Sequence, residues 1–164
     1  MVRTTLTLNA QGLRRFGLAP GAGVKQVVLP EHDDGSILEM EKPLLPLQAS
    51  FAREFAQDWV DAWNSHDLER ILNHYDEEAV LTSPVALKLL NGDGTVRGKA
   101  ALREYFLRGV QAYPDLHFDL IDSLWGTETV VVYYVNNVRG RKTAEVMLLN
   151  PAGKICRVWA NYDL

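Results

Sequence analysis

Residues 59–84, WVDAWNSHDLERILNHYDEEAVLTSP, decide the fold that the sequence predicts. Apolar and aromatic side chains recur at helical spacing as far as Trp63, and the polar run NSHD at 64–67 breaks that pattern. A second short helix follows, and AVLTSP begins a strand that Pro84 ends. The segment therefore predicts two helices joined by a tight turn and followed by a strand, and it supplies much of a predicted pocket.

The flanking sequence extends this pattern in both directions. Upstream, Ser50 is a predicted N-cap for the first helix. Downstream, VALKLL is predicted to continue as a strand to a turn at NGDG, residues 91–94, and a third helix follows Gly98. Four more strands are predicted at 115–124, 128–138, 143–150 and 155–162. Helices followed by a run of strands are typical of an α+β fold.

Two of these strands, VVVYYV and EVMLL, are apolar almost without interruption. A strand with one wet face alternates between apolar and polar residues, so these strands are expected to be covered on both faces of the sheet. Three short helices can cover only one face. The sequence therefore predicts a homodimer that forms through the outer face of the sheet.

Composition excludes several classes of protein. The 164 residues are 47% hydrophobic and 23% charged, as in one globular domain. The net charge of −4 without a Lys/Arg cluster argues against nucleic acid or anionic membrane as the main partner. No apolar run is long enough for a membrane helix, and no signal peptide is evident, so a cytoplasmic location is predicted. The four scattered His and the lone Cys156 predict no metal site, and no cofactor motif is present.

Residues 1–47 differ from the rest and are predicted to form an N-terminal extension, a hairpin or arm that packs on the domain or on its dimer partner. Short alternating stretches such as TLTL indicate strands, and LAPGAG indicates a turn. The order of these elements resembles a swapped-hairpin AbrB-like module, although the basic excess of that family is missing. This resemblance keeps open a regulator that binds DNA or a partner through this segment.

Residues 50–164 resemble the nuclear transport factor 2-like superfamily, which includes SnoaL-like cyclases and ketosteroid isomerase. The resemblance depends on the order and spacing of AWNSHDL, LNHY, LTSP, ALREYF, YPDLHF, VVVYYV and AEV. It implies a cone-shaped, curved antiparallel or mixed sheet wrapped around three N-terminal helices, the cystatin-like or SnoaL-like fold. It also implies a ligand site in the hollow between the helices and the sheet.

Comparison with ketosteroid isomerase tests whether its chemistry carries over. The position of that family's general base, an Asp before a strand-ending Pro, is Ser83 here, and Ser cannot act as a carboxylate base. The position of its helix Tyr is Trp59, and that of its protonated Asp is Glu145. Only one of the three groups survives as an acid, so the resemblance implies a pocket rather than steroid-isomerase chemistry.

Two residues are predicted to be catalytic if the protein is an enzyme. Glu145 lies among apolar residues on an interior strand, and burial there would raise its pKa and suit it to donate a proton. The alternative is a Glu in an edge salt bridge. His74 ends the second helix and could act as the base, or it could simply interact with the helix dipole.

Aromatic and polar side chains are predicted to line the pocket around these two groups, since large apolar surfaces with a few polar tips are typical of small-molecule sites. The predicted ligand is a small apolar or carbonyl-containing molecule. The function predicted is a pocket protein, either a cofactor-free isomerase, cyclase or hydratase or a non-catalytic binding or dimerisation module. The predicted pocket residues are Trp59, Trp63, Tyr75, Ser83, Tyr105, Tyr134, Met147, Trp159 and Tyr162.

Overall fold

The computed structural model describes residues 47–90, 92–138 and 140–163. The predicted extension at 1–47 therefore lies outside the described residues, apart from Leu47. Its hairpin, its arm and its regulatory role stay predictions. None of the helices in the described ranges combines the length and apolarity that crossing a bilayer demands.

Within these described ranges, four helices and six strands follow one another in the order α1, α2, β1, α3, β2, α4 and then β3 to β6. The helices are α1 (Ala49–Asn64), α2 (Leu68–Leu72), α3 (Pro84–Leu89) and α4 (Lys99–Ala112). The strands are β1 (Tyr75–Thr82), β2 (Thr95–Arg97), β3 (Phe118–Trp125), β4 (Thr129–Asn136), β5 (Arg141–Leu149) and β6 (Ile155–Tyr162). The predicted α+β class, with its curved mixed sheet, is confirmed.

The helices begin close to where the sequence predicts. Helix α1 starts one residue before Ser50, and Gln48 takes the N-cap position without a side-chain bond. Asp67 caps α2, because its side chain accepts the backbone N–H groups of Glu69 and Arg70. The turn between α1 and α2 is fixed to the sheet by Asn64, whose amide exchanges two hydrogen bonds with the backbone of Phe118.

Two local predictions between 76 and 90 are wrong. The strand expected to begin with AVLTSP starts four residues earlier, at Tyr75, and Glu77 and Glu78 within it face solvent. The stretch after Pro84 was expected to be a strand and is helix α3. Ser83 caps this helix through a bond from the Val85 N–H, and Pro84 occupies a first-turn position where its missing N–H costs nothing.

The sheet order β2-β1-β6-β5-β4-β3 places β6 in the middle, parallel to β1 and antiparallel to β5. Helix α1 packs on β3 and β4, and α4 packs on β1. We call the face of the sheet beneath these helices the inner face and the opposite one the outer face. Side chains of β4 and β5 alternate between buried and half-buried positions from Thr129 to Val135 and from Thr143 to Leu149, because successive residues point to opposite faces.

Candidate functional site

Glu145 is the central polar group of the inner face. It lies on β5 between Val132 of β4 and Ala160 of β6, and only 7% of its surface is exposed. The Tyr134 hydroxyl donates to its Oε1 at 3.3 Å, whereas its Oε2 is buried without a partner. Burial raises the pKa of Glu145 to about 7, against the opposing effect of the Tyr134 bond. The carboxyl can therefore exist in either protonation state near neutral pH.

Aromatic rings from α1 and the sheet pack above this carboxyl. Trp59 stacks on Phe118 with ring centroids 5.9 Å apart, and Phe118 lies 4.3 Å from the ring of Tyr134. Trp63 meets the edge of Phe106 at 4.9 Å. These rings give the site an apolar wall in which few polar atoms occur.

The two indole groups of α1 supply hydrogen-bond donors to that wall. The Trp59 N–H donates to the Tyr75 hydroxyl at 3.3 Å, and the buried Trp63 N–H lies near the same hydroxyl without forming a hydrogen bond of good geometry. Burial, and then the charge of Glu145, raises the pKa of Tyr75, so its phenol stays protonated. An unpaired buried donor and an unpaired buried acceptor cost free energy, and a bound molecule or water that pairs with them would recover it.

A second polar group of residues lies at the C-terminal end of β1. The Ser83 Oγ accepts the Val85 N–H at 3.1 Å and shares a hydrogen bond with the Tyr162 hydroxyl at 3.3 Å. The ring of Tyr105 from α4 lies near Ser83, and this neighbour offsets part of the rise that burial causes in the pKa of Tyr105. We refer to Ser83, Tyr105 and Tyr162 as the hydroxyl cluster. Burial, followed by the charge of Glu145, raises the pKa of Tyr162, so the cluster and Glu145 share one electrostatic environment.

The sheet register fixes the spacing between these two groups. Thr82 is aligned with Trp159, which sets Ser83 beside Ala160, and Ala160 is aligned with Glu145. Neighbouring strands lie about 4.8 Å apart, so the backbones of Ser83 and Glu145 are roughly 10 Å apart. The methyl group of Ala160 forms the floor between them.

Most of the pocket residues predicted from the sequence converge on this inner site. Met147 is fully buried on the same face of β5 as Glu145. The predicted residues that the inner site brings together are Trp59, Trp63, Tyr75, Ser83, Tyr105, Tyr134, Glu145, Met147 and Tyr162.

Trp159 does not join them and is a correction to the predicted pocket. Its neighbours Val158 and Ala160 are buried on the inner face, so Trp159 points to the outer face, where 37% of it is exposed. There the Arg157 guanidinium lies 5.5 Å from its ring centroid.

His74 also lies apart from Glu145. Its Nε2 is 3.0 Å from a carboxylate oxygen of Asp58, and its Nδ1 is 3.2 Å from the Arg70 carbonyl. Its backbone carbonyl accepts the Ile155 N–H, whereas Glu145 is aligned with Ala160, five residues further along β6. At about 3.3 Å a residue, that separation is roughly 16 Å. The structure does not bring the two predicted catalytic residues together.

Two residues of the inner site were missed by sequence reasoning, Phe118 and Ala160. Phe118 belongs to the YPDLHF motif that marked the family, and its ring contacts both Trp59 and Tyr134. The signal for Ala160 was its alternation with Trp159, but the face of either residue depends on a register that the sequence alone does not give.

A polar groove of about 420 Å³ lies elsewhere on the surface, between α2, β1 and α4. Its charges pair internally, Lys99 with Glu77 and Arg103 with Glu69. None of the predicted pocket residues lines it. Within the part of the chain that the structure describes, no three His, Cys, Asp or Glu side chains converge as metal ligands would.

The mixed sheet with its helices packed on one face is the fold of the nuclear transport factor 2-like class. More narrowly, the chain belongs to the SnoaL-like domain family, whose profile matches residues 56–160. This confirms the resemblance on which the fold prediction depended.

Solved structures agree with this assignment. A SnoaL-like protein of unknown function from Burkholderia thailandensis is 34% identical, with a TM-score of 0.70 over 73% of this chain and 100% of that chain. A putative isomerase of the SnoaL-like family from Agrobacterium tumefaciens is 20% identical, with a TM-score of 0.56 over 69% of this chain and 97% of that one.

A third similar structure is SalBIII, an epoxide hydrolase/cyclase-like enzyme in pyran ring formation of the polyether salinomycin. It is 20% identical, with a TM-score of 0.55 over 70% of this chain and 92% of that chain. At such identities the second and third structures share the fold with this chain. No curated protein matches the chain significantly.

Proposed function

We propose that the inner site binds a small organic molecule through a carbonyl or enol oxygen, and that Glu145 transfers a proton on it without a cofactor. The observation that carries the proposal is the Glu145 carboxyl, which is buried, has one oxygen free of any partner, and has a pKa raised by burial to about 7. A proton-transfer group is most effective when its pKa is near the working pH.

The neighbouring groups suit the stabilisation of a developing oxyanion. A protonated carboxyl and a phenol can both donate to one oxygen, and a site that excludes water strengthens such bonds. Here the Tyr75 hydroxyl and the Trp63 N–H are the donors available while Glu145 is a carboxylate, and Glu145 becomes a donor only after it has taken the proton. The absence of any cation among these groups favours a ligand that is uncharged in its ground state.

The reaction class that fits is isomerisation, cyclisation or dehydration. As a carboxylate, Glu145 can remove a proton from the carbon next to a carbonyl, and as the resulting acid it can return that proton to another carbon of the enolate. In an isomerisation of this kind no atom other than the proton changes place, so one carboxyl is sufficient; in a cyclisation or a dehydration the ligand itself would supply the nucleophile or the leaving hydroxyl, and Glu145 would again only move the proton. The names of similar structures, a putative isomerase and a cyclase-like enzyme, support this class for the fold.

His74 has no part in this proposal, because it lies roughly 16 Å along the sheet from Glu145 and is paired with Asp58. Its predicted role as the base is untested. The proposal assigns both directions of proton transfer to Glu145.

The test is exchange of hydrogen for deuterium at the carbon next to a carbonyl, followed by NMR in D2O. Three probes of increasing size would be used: butan-2-one, cyclohexanone and 1-indanone. The protein should accelerate exchange of at least one ketone, with a rate that rises through about pH 7 as Glu145 ionises. Glu145→Gln should slow that exchange by roughly a hundredfold or more.

Glu78→Gln is the matched control, because Glu78 is exposed on β1 and outside the inner site. It should exchange as fast as the unmodified protein. A Glu145→Gln protein that retained the full rate would remove Glu145 from the mechanism.

A non-catalytic binding module is the second candidate, and the close ring packing around Trp59, Phe118 and Tyr134 favours it. A filled apolar interior binds or scaffolds without reacting. In the same NMR experiment this candidate predicts ketone binding, seen as broadened ligand signals, with no acceleration of exchange.

A further inference from the structure

The contact between Tyr134 and Glu145 follows from the pairing of their strands. Glu145 of β5 is aligned with Val132 of β4, and Tyr134 lies two residues further along β4 on the same face. Diagonal neighbours of this kind are within reach of each other when one side chain is aromatic or long. The Tyr134 hydroxyl accordingly lies 3.3 Å from Oε1 of Glu145. The sheet register therefore holds the two polar groups together.

The packing of the Tyr134 ring fixes the position of its hydroxyl. Only 4% of this residue is exposed. Its ring centroid lies 4.3 Å from that of Phe118 and 5.7 Å from that of Trp59. A ring that is packed this closely has little freedom to change rotamer. The hydroxyl is therefore a fixed donor, and the carboxyl oxygen to which it donates is held with it.

The direction of this hydrogen bond determines where the proton of neutral Glu145 lies. Burial, followed by the charge of Glu145, raises the pKa of Tyr134 well above its ordinary value of 10, so the phenol keeps its proton and donates it. A neutral carboxyl has one O–H group and one acceptor oxygen. Because Tyr134 donates to Oε1, the O–H group is at Oε2, the oxygen that has no partner.

The other titratable groups that face Glu145 are phenols. They are Tyr75 of β1, Tyr105 of α4 and Tyr162 of β6. Burial raises the pKa of all three, and the charge of Glu145 adds to the rise, so these phenols stay neutral. In the part of the chain that the structure describes, burial raises the pKa of Glu145 and the Tyr134 hydrogen bond lowers it. Removal of the Tyr134 hydroxyl should therefore leave burial to act unopposed.

We propose that Tyr134 is a positioning residue, which holds Oε1 of Glu145 and thereby presents Oε2 as the one oxygen that takes the proton from the ligand and returns it. Tyr134 does not exchange a proton with the ligand itself. This inference rests on the proposed function, since it takes Glu145 as the group that transfers the proton.

The experiment uses Tyr134→Phe, which removes the hydroxyl and keeps the ring. The ionisation of Glu145 would be followed by carbon NMR of the side-chain carboxyls in the full chain with isotope-labelled glutamate, and Glu145→Gln identifies the signal. The midpoint of this titration should rise by about one pH unit in Tyr134→Phe, because the carboxylate loses a hydrogen-bond donor.

Deuterium exchange of the three ketones provides the second readout. Its pH profile should move upward by the same amount as the NMR midpoint. At a pH above the midpoints of both proteins, Tyr134→Phe should still exchange roughly tenfold more slowly, because its carboxylate is no longer held in one orientation. A residue that served only the packing of the core would change neither the midpoint nor the shape of this profile.

Tyr133→Phe provides the matched control, because Tyr133 lies on β4 between the buried Val132 and Tyr134 and faces the outer side. It should keep both the midpoint and the exchange rate of the unmodified protein. Replacement of Tyr134 by a fluorinated tyrosine keeps the hydroxyl and makes it a stronger donor, so the midpoint should move downward instead. Thermal unfolding of each variant verifies that the fold is retained, and the fluorinated protein carries the test if Tyr134→Phe does not fold.

Three results would overturn the inference. These are an unchanged midpoint in folded Tyr134→Phe, a midpoint that does not fall in the fluorinated protein, and a full exchange rate of Tyr134→Phe above both midpoints. Any of them beside Glu145-dependent exchange in the unmodified protein would refute the positioning role and leave the proton transfer standing. If exchange of no ketone depends on Glu145, the proposed function fails, and the positioning role fails with it.

Discussion

The Tyr134 hydroxyl donates to Oε1 of Glu145 at 3.3 Å and leaves Oε2 of the same carboxyl without a partner. The protein therefore provides a hydrogen-bond partner for only one of the two oxygens of this buried carboxyl. A carboxyl in that position favours its neutral form, since an unpaired charge in the interior costs more than an unpaired oxygen. The stability of the fold should therefore depend on pH through this one residue.

Glu145→Gln is expected to change the pH dependence of stability. The folded pKa of about 7 lies above the ordinary 4.5, so between these pH values the folded state binds a proton that the unfolded state has lost. The unfolding free energy of the unmodified protein accordingly falls as pH rises from 4.5 to 7, by roughly 3 kcal/mol. Gln cannot ionise, so the variant lacks this loss of stability. In urea unfolding, the unfolding free energy of the variant minus that of the unmodified protein should rise by this amount over the same pH range.

All other titrating groups are common to the variant and the unmodified protein, so their contributions largely cancel when the two unfolding free energies are subtracted. Measurements at pH 4.5, 6 and 8 define it. A difference in unfolding free energy that stayed constant across this range would show that Glu145 ionises normally in the folded state.

Ala160→Leu should fill the space between Ser83 and Glu145. If that space is open for a ligand, the larger side chain abolishes probe binding and changes stability by less than about 1 kcal/mol, because no neighbour must move. If the rings already fill it, overpacking costs about 1–3 kcal/mol. Ala144→Leu, on the outer face of β5, is the control for a larger side chain in the same sheet.

Asp58→Asn should lower the pKa of His74 further, as observed by NMR titration of its imidazole. Burial lowers this pKa already, and the Asp58 carboxylate opposes the effect. In the folded protein the imidazole therefore protonates below the unfolded value of 6.5, and stability is lost as pH falls through that region. In Asp58→Asn the pKa of folded His74 is lower still, so stability should continue to fall to a lower pH than in the unmodified protein.

Substitution of His74 tests whether this residue lies outside the inner site. His74→Asn should leave probe affinity unchanged, as should His117→Asn, a control at an exposed histidine. If His74→Asn, but not His117→Asn, bound the probes much more weakly, His74 would be part of the inner site.

Trp159→Glu tests the homodimer predicted from the sequence. On the outer face the side chains of Leu124, Val131, Val146 and Trp159 are aligned across four strands and form an apolar row. A charge at the end of this row should weaken a dimer more than tenfold in analytical ultracentrifugation, because buried aromatic residues dominate such interfaces. Gln57→Glu, on the exposed side of α1, should leave association unchanged.

The sequence predicted the family, the main helices and the strands because their patterns are local. Its apolar neighbours in AEVMLL also suggested a buried Glu145, with an edge salt bridge as the alternative, and the structure has this residue buried. What it missed depends on pairing over long distances. The partner of His74 is Asp58, 16 residues away on another helix, and neither residue marks the other in the sequence.

Trp159 shows the same limit. Because it is aromatic, it was predicted to line the pocket. Successive residues of a strand point to opposite faces of the sheet, however, and a register shift of one residue moves each side chain to the other face. Helix α3 was missed for a different reason. A mainly apolar stretch of six residues fits either a strand or a helix, and the Ser83-Pro84 start signal was interpreted as the end of a strand.

The position of β6 between β1 and β5 has a kinetic consequence. Ser83 and Tyr162 are 79 residues apart in sequence, whereas the β3, β4 and β5 pairings join neighbouring segments. Closing the longer loop costs more chain entropy, so β1 and β6 are expected to pair late in folding. A molecule that contacts both Ser83, at the end of β1, and Glu145, on β5, would hold together strands that pair late in folding. Its binding should therefore slow unfolding far more than it speeds folding.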